Sequence, residues 1–313
     1  MTHAMAPSAR TWFLFLGVLL ILAGAALGSD ASSDDALESL GPKPEDEEDL
    51  RSIFLRDASV ILPPGVWDLE VGLEYRRGKT EELLTDSDLT RQVRLPLTAR
   101  FGIRKGLEGL ISVPVIHSYR ELSESGVVTS DDETGLGDVN AGVSFQIMQE
   151  KTSWPELLGT VQVRAPSGED PYRGGGTRPP LGSGHWALAS SLQWVKTTDP
   201  LVLFGGIGYV HQFSRHAAGR KYEPGPGLQY SMGLGFSIND DVSLSGRFSG
   251  LLQGNWEIDG EKAEGSSYEP MTLRVAATMR CKRNTYIEPE VTFGLNDDAP
   301  DVSIGAALVM RVP

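Results

Sequence analysis

The chain has 313 residues but only one cysteine, Cys281, so no internal disulfide can brace it. Histidine is also scarce: the five, at His3, His117, His185, His211 and His216, form no Cys/His cluster with metal-ligand spacing. No metal or cofactor is expected. Basic residues are outnumbered 28 to 42, giving a net charge of −14 and arguing against nucleic acid as a partner. Apolar residues make up 40 % of the chain, yet mean hydropathy is −0.17 and only one long apolar run exists. That excludes a bundle of transmembrane helices, each of which needs about 20 consecutive apolar residues. Apolar residues dispersed among polar ones, with 36 glycines and 19 prolines, suit a β-protein.

The single run, TWFLFLGVLLILAGAALG, follows Arg10 and precedes small residues and then acids. This is the layout of an export signal, so residues 1–28 are predicted to be a signal peptide cleaved near Gly28 or Ser29. An uncleaved anchor helix is the alternative. Residues 30–50 alone carry a charge of −8. Too polar to bury a core, residues 29–58 are predicted to form a largely disordered acidic leader. Within it, residues 46–56 can place Leu50, Ile53 and Phe54 on one side of a short helix, a candidate plug for a barrel mouth.

From residue 66 the apolar period becomes 2. Trp67, Leu69, Val71, Leu73 and Tyr75 share one face, with Asp68, Glu70, Gly72 and Glu74 on the other. The same division recurs at 89–104, and ten more strands are predicted at 107–119, 138–148, 156–165, 185–195, 201–211, 228–238, 242–252, 271–280, 285–295 and 301–311. Residues 201–211 alternate poorly. A soluble sandwich would also alternate, but these segments have the length a tilted strand needs to cross a bilayer. The links alternate too. Stretches at 77–88, 120–137, 166–184, 212–227 and 253–270 read as long external loops, and those at 105–106, 149–155, 196–200, 239–240 and 281–284 as short periplasmic turns. The short link 296–300 breaks the rule. The expected fold is an all-β, closed, antiparallel up-and-down transmembrane barrel of about twelve strands over residues 59–313, in the bacterial outer membrane.

In that frame the polar parity faces the lumen. Candidate lumen-lining residues are Asp68, Glu70, Glu74, Arg94, Arg100, Arg104, Arg164, Arg247, Arg274, Arg280, Glu288 and Glu290. Two roles stay open: a structural ion-pair ladder that fills the interior, or a charged constriction that selects solutes. Trp67, Tyr75, Trp154, Trp186, Trp194, Tyr209 and Tyr286 are placed for interfacial girdles. Gly135–Asp138 and Gly174–Gly176 lack the following helix and P-loop lysine of a phosphate site. Ser183 with His185 is the only local hint of a catalytic pair, so no enzyme activity is expected.

The runs LRDASVILPPGVWDLEVGLEY (55–75), TGLGDVNAGVSFQ (134–146), VQVRAPSGED (161–170) and LGSGHWALASSLQWVKTTDPLVLFGGIGYVHQF (181–213) resemble the meta-pathway phenol degradation family of transporter-like outer-membrane proteins. Matching positions are Pro64–Gly65, Gly135, Gly137, Asp138, Pro166, Gly168, Gly182, Gly184 and Asp199–Pro200, all near strand ends. The resemblance implies a barrel for uptake of small, often aromatic or apolar, molecules; a non-conducting structural barrel is the alternative. Expected partners are membrane lipid and lipopolysaccharide, a small-molecule solute and the outer-membrane assembly machinery. Many such barrels end in an aromatic residue that this machinery reads, whereas this chain ends Met310-Arg311-Val312-Pro313.

Overall fold

The computed structural model describes residues 61–83, 86–124, 127–172, 178–198 and 201–313. The predicted signal peptide, the acidic leader and its plug helix lie outside the described residues. Among the described residues, seventeen strands follow in chain order. The first eight are β1 (Trp67–Leu83), β2 (Asp86–Arg104), β3 (Leu107–Glu124), β4 (Val127–Leu136), β5 (Val139–Met148), β6 (Glu156–Ala165), β7 (Ala187–Thr198) and β8 (Leu201–Gln212). Then come β9 (Arg215–Ala217), β10 (Arg220–Glu223), β11 (Gly227–Asn239), β12 (Val242–Gln253), β13 (Glu257–Ile258) and β14 (Glu261–Lys262). The last are β15 (Met271–Lys282), β16 (Thr285–Gly294) and β17 (Val302–Val312).

Twelve of these close a wall in the order β1-β2-β3-β5-β6-β7-β8-β11-β12-β15-β16-β17, and β17 returns to β1. Every neighbouring pair is antiparallel, with Trp67 opposite Val312 and Tyr75 opposite Ile304 at the seam. Closure satisfies each ladder within the wall, which hydrocarbon requires because an open edge has no water to bond. The outward parity carries the exposed apolar residues: Ile207 and Met232 are each 62 % exposed, and Leu97, Val143, Leu188, Val275 and Ile304 are exposed as well. A continuous apolar band of this kind is the lipid face of a membrane barrel. Along β1 it runs from Trp67 to Tyr75, a rise of about 20 Å for a strand tilted by about 40°. No described helix is long and apolar enough to cross a membrane.

Two links predicted as loops are strands instead. Residues 77–83 and 86–88 extend the β1–β2 hairpin, and β4 pairs with the outer half of β3 from Val115↔Leu136 to Glu124↔Val127. These segments rise beyond the apolar band, where both faces are polar, so a period-2 apolar pattern cannot reveal them. β4 and β5 together form the fourth staff of the wall, broken at Gly137–Asp138. The links 212–227 and 253–270 also carry strands: β9, β10, β13 and β14 form a separate four-stranded sheet. Its turns use Ala218 (φ 49°) with Gly219 (φ 78°) and Asp259 (φ 55°) with Gly260 (φ 83°), the left-handed pairs of tight hairpins. Residues 201–211, which alternate poorly, lie in β8, paired on both sides. Their inward Val202 and Phe204 are buried, so apolar residues occupy both faces there.

Trp67, Trp154, Trp186 and Tyr209 are exposed near strand ends, as an interfacial girdle requires. Tyr286 is different. Its parity on β16 turns it inward, where it is 4 % exposed and the Arg280 guanidinium lies 5.9 Å from its ring centre.

Candidate functional site

The inner face divides into two unlike arcs. One runs over β15, β16, β17, β1, β2 and β3 and holds most of the charge, nearly all of it paired. Arg311 donates Nε–H and Nη2–H to the two Asp68 oxygens at 2.8 and 2.9 Å across the seam. Arg100 makes the same fork with Glu108, both bonds 2.8 Å. Glu108 is 2 % exposed and also accepts the Leu62 N–H at 3.0 Å, tying the segment before β1 to the periplasmic mouth. A glycine permits that approach, because a Cβ on Gly102 would sit 1.9 Å from the Pro63 carbonyl oxygen. Farther up, Arg274 bridges Glu288 and Glu290, its Nε–H reaching Glu290 at 2.6 Å, and Thr278 donates to Glu288 at 2.9 Å. Glu74 contacts Arg76 at 3.1 Å and Arg94 at 3.9 Å.

The opposite arc, on β6, β7, β8, β11 and β12, is nearly neutral. It borders a cavity of about 410 Å³ whose lining includes Thr160, Gln162, Ser191, Gln193, Gln229 and Ser249. Below it, toward the periplasm, Leu158, Val195, Val202 and Phe204 form a buried apolar floor. The Phe204 ring lies flat against the wall because Gly233 has no side chain; a Cβ there would come within 2.4 Å of the ring. Arg247 covers that ring, its guanidinium carbon 5.2 Å from the centroid, a cation–π contact.

The candidate residues distribute unevenly between these features. Asp68, Arg100, Arg274, Glu288 and Glu290 are in the paired arc, with Glu74 and Arg94 nearby and Glu70 half-buried on the same parity. Arg280 faces Tyr286 and lies 4.0 Å from Asp241. Arg247 belongs to the neutral arc, and Arg164 lies toward the extracellular end, 3.0 Å from Gln212 and 3.9 Å from Asp138. Arg104 is exposed at the β2–β3 turn and not in the lumen, because a bulge between Gly102 and Arg104 interrupts the alternation. Glu108 and Arg311 escaped the candidate set although each lies on the inward parity of its strand; so did the Phe204 floor, which no charge marks.

Several of the family-like positions, Asp138, Gly168, Gly182 and Gly184, converge on one structure at the extracellular end, while Pro64–Gly65 lies at the periplasmic mouth. Asp138, at the break between β4 and β5, accepts Ser183 N–H and Ser183 Oγ–H at 2.7 Å each and Gly168 N–H at 3.2 Å. Gly168 and Gly182 pack back to back, a Cβ on the former falling 2.9 Å from the latter's Cα. The ends of the 166–186 strap are thereby pinned where the wall is broken. His185, 1 % exposed, donates Nδ1–H to the Phe213 carbonyl at 2.9 Å and accepts the Tyr172 hydroxyl on Nε2 at 2.6 Å. Both ring nitrogens are thus committed to groups other than the Ser183 hydroxyl, and the two side chains do not form a catalytic pair. Burial lowers the His185 pKa and pushes the Tyr172 phenol up to about 12. Asp170 holds Arg215 at 2.6 Å, and the Tyr172 and Tyr222 rings lie 4.5 Å apart. The strap is therefore fastened to the four-stranded outer sheet as well.

Among solved structures, an outer membrane channel from Pseudomonas putida F1 is similar, with a TM-score of 0.66 and 14 % identity over 80 % of this chain and 97 % of that one. The translocator domain of the autotransporter NalP from Neisseria meningitidis gives a TM-score of 0.47 at 11 % identity, covering 86 % of this chain and 97 % of that domain. The protein is an outer-membrane β-barrel with the architecture of a channel. With residues 56–312 matched by its model, the chain belongs to the family described as "Putative MetA-pathway of phenol degradation".

Proposed function

We propose that this barrel is a passive conduit for small solutes, which travel along the neutral arc while the charged arc is closed on itself. The carrying observation is the division of the lumen. Carboxylates and guanidinium groups on one side neutralise one another in forked pairs, and the cavity of about 410 Å³ lies against hydroxyls, amides, glycines and the Arg247 guanidinium on the other. Such a wall offers hydrogen bonds and one cation, Arg247, which stands over the Phe204 ring face at the floor. This suits small uncharged or singly anionic molecules with an apolar ring better than bulky or multiply charged ones. In this reading Asp68, Glu74, Arg100, Arg274, Glu288 and Glu290 shape and brace the lumen. Residues 1–28 act as the export signal and 29–58 as the leader before the barrel, with no covalent chemistry assigned.

Purified barrel in planar bilayers and liposomes tests this. Wild-type protein should conduct and admit small aromatic acids, and Ser191→Trp on the neutral arc should cut both severalfold. Protein that raises neither conductance nor uptake above protein-free bilayers would favour the structural-barrel alternative. N-terminal sequencing of the exported protein should start near residue 29.

A further inference from the structure

On the outer face, two arginines stand directly opposite each other. Arg77 of β1 is in register with Arg91 of β2, and Lys79 follows on the same face of β1, opposite Leu89. Both arginines are exposed, while Lys79 already interacts with a neighbour. Like charges directly across a ladder have Cβ atoms about 5 Å apart and destabilise the pair unless an anion lies between them. Among the described residues neither arginine forms an ion pair with a carboxylate, and Arg91 instead lies over the Tyr119 ring of β3 at 5.9 Å. Glu81 is the next residue of this parity on β1, beyond Lys79; on β3 and β4 the acids of this face are Glu121, which accepts the Tyr119 hydroxyl at 2.9 Å, and Asp132, in register with Tyr119.

Height decides what the anion is. Arg77 is the next outward residue after Tyr75, and Arg91 the next beyond Val93, where the apolar band ends on the extracellular side. They stand about 7 Å farther along the strands, at the level of outer-leaflet headgroups. Below them the same face presents Leu97 and, across the seam, Ile304, both exposed and apolar. Two planar forks above an apolar stripe match a phosphate that carries acyl chains. We propose that Arg77 and Arg91 form a binding site for the phosphorylated glycolipid of the outer leaflet, lipid A. The arginines take a glucosamine phosphate between them and the stripe takes the acyl chains. This site is on the lipid face and is independent of conduction through the lumen.

The test measures binding of bisphosphorylated lipid A, enzymatically dephosphorylated lipid A and inorganic phosphate to the detergent-solubilised full barrel by native mass spectrometry. Wild-type protein should retain bisphosphorylated lipid A and lose it at least tenfold more readily once dephosphorylated, the loss of about one charge-assisted bond. Arg77→Gln/Arg91→Gln should weaken binding by about tenfold or more, while conductance stays as in wild type. Equal retention of both lipid forms would overturn the proposal, as would undiminished binding by the double variant. Competition by inorganic phosphate at matched concentration would show a site for the free ion instead. The lipid comparison needs only wild-type protein, so it decides the matter even should the variant fail to insert.

Discussion

The seam between the first and last strands offers the sharpest test of the paired arc. Asp68 is 2 % exposed, and both its oxygens are held by Arg311, its direct cross-strand neighbour. Arg311→Ala would leave that carboxylate shielded from water without its two charge-assisted hydrogen bonds. Such bonds are each worth about 1.5–3 kcal/mol, and removing one partner of a buried pair costs about 3–5 kcal/mol. An exposed pair would lose only about 0.2–1 kcal/mol. The two cases are therefore separable. Urea unfolding in micelles, followed by heat-modifiable electrophoretic mobility, should place Arg311→Ala at least about 3 kcal/mol below wild type. Asp68→Asn/Arg311→Gln, which keeps shape and hydrogen bonding without either charge, should recover most of that loss. A single variant within about 1 kcal/mol of wild type would refute the account, because water would then be reaching Asp68.

The strap and the lumen give further predictions. Asp138→Ala removes the acceptor for two backbone N–H groups and the Ser183 hydroxyl, so residues 166–172 and 178–186 should lose hydrogen-exchange protection while β6 and β7 keep theirs. The His185 pKa lies below its ordinary 6.5, chiefly through burial. The unfolded strap therefore binds more protons than the docked one, and stability rises with pH. The strap contact should be full above about pH 6.5 and weaken as pH falls below it; exchange within 178–186 that is unchanged between pH 7.5 and 5 would count against this. Arg274→Glu places three carboxylates together at Glu288 and Glu290, and the reversal potential in a salt gradient should shift toward cation preference. An unshifted potential would place this cluster off the ion path.

Alternation made the wall legible because it is itself the physical cause: lipid outside and polar groups inside force a period of 2 wherever a strand crosses hydrocarbon. It failed at 77–88 and 120–137, where strands continue into water and neither face need be apolar. The hairpin turn Asp259-Gly260 carried a readable local signal within what looked like one long loop. The lumen was less legible. Parity alone points Glu108 and Arg311 inward, but that they face Arg100 and Asp68 depends on which strands adjoin, and the seam pair is 243 residues apart in sequence. Arg104 shows the converse, since one bulge moves a residue out of its parity class. Asp138 reads from sequence as the first residue of a strand and is instead the anchor that holds Gly168 and Ser183.

The β4 strand pairs with β3 on one side only, so a staff of ten residues stands above the wall with its second flank outside the main ladder. Among the described residues that flank has no ladder partner, and such flanks invite a neighbouring molecule to add a strand, more so with Val127 and Val128 well exposed at the tip. Asp131 and Asp132 sit at its middle beside Glu133, which Arg178 already pairs at 3.1 Å, and two such staffs laid side by side would bring the aspartates together. The acidity of this short stretch would thus oppose edge-to-edge association between neighbouring copies.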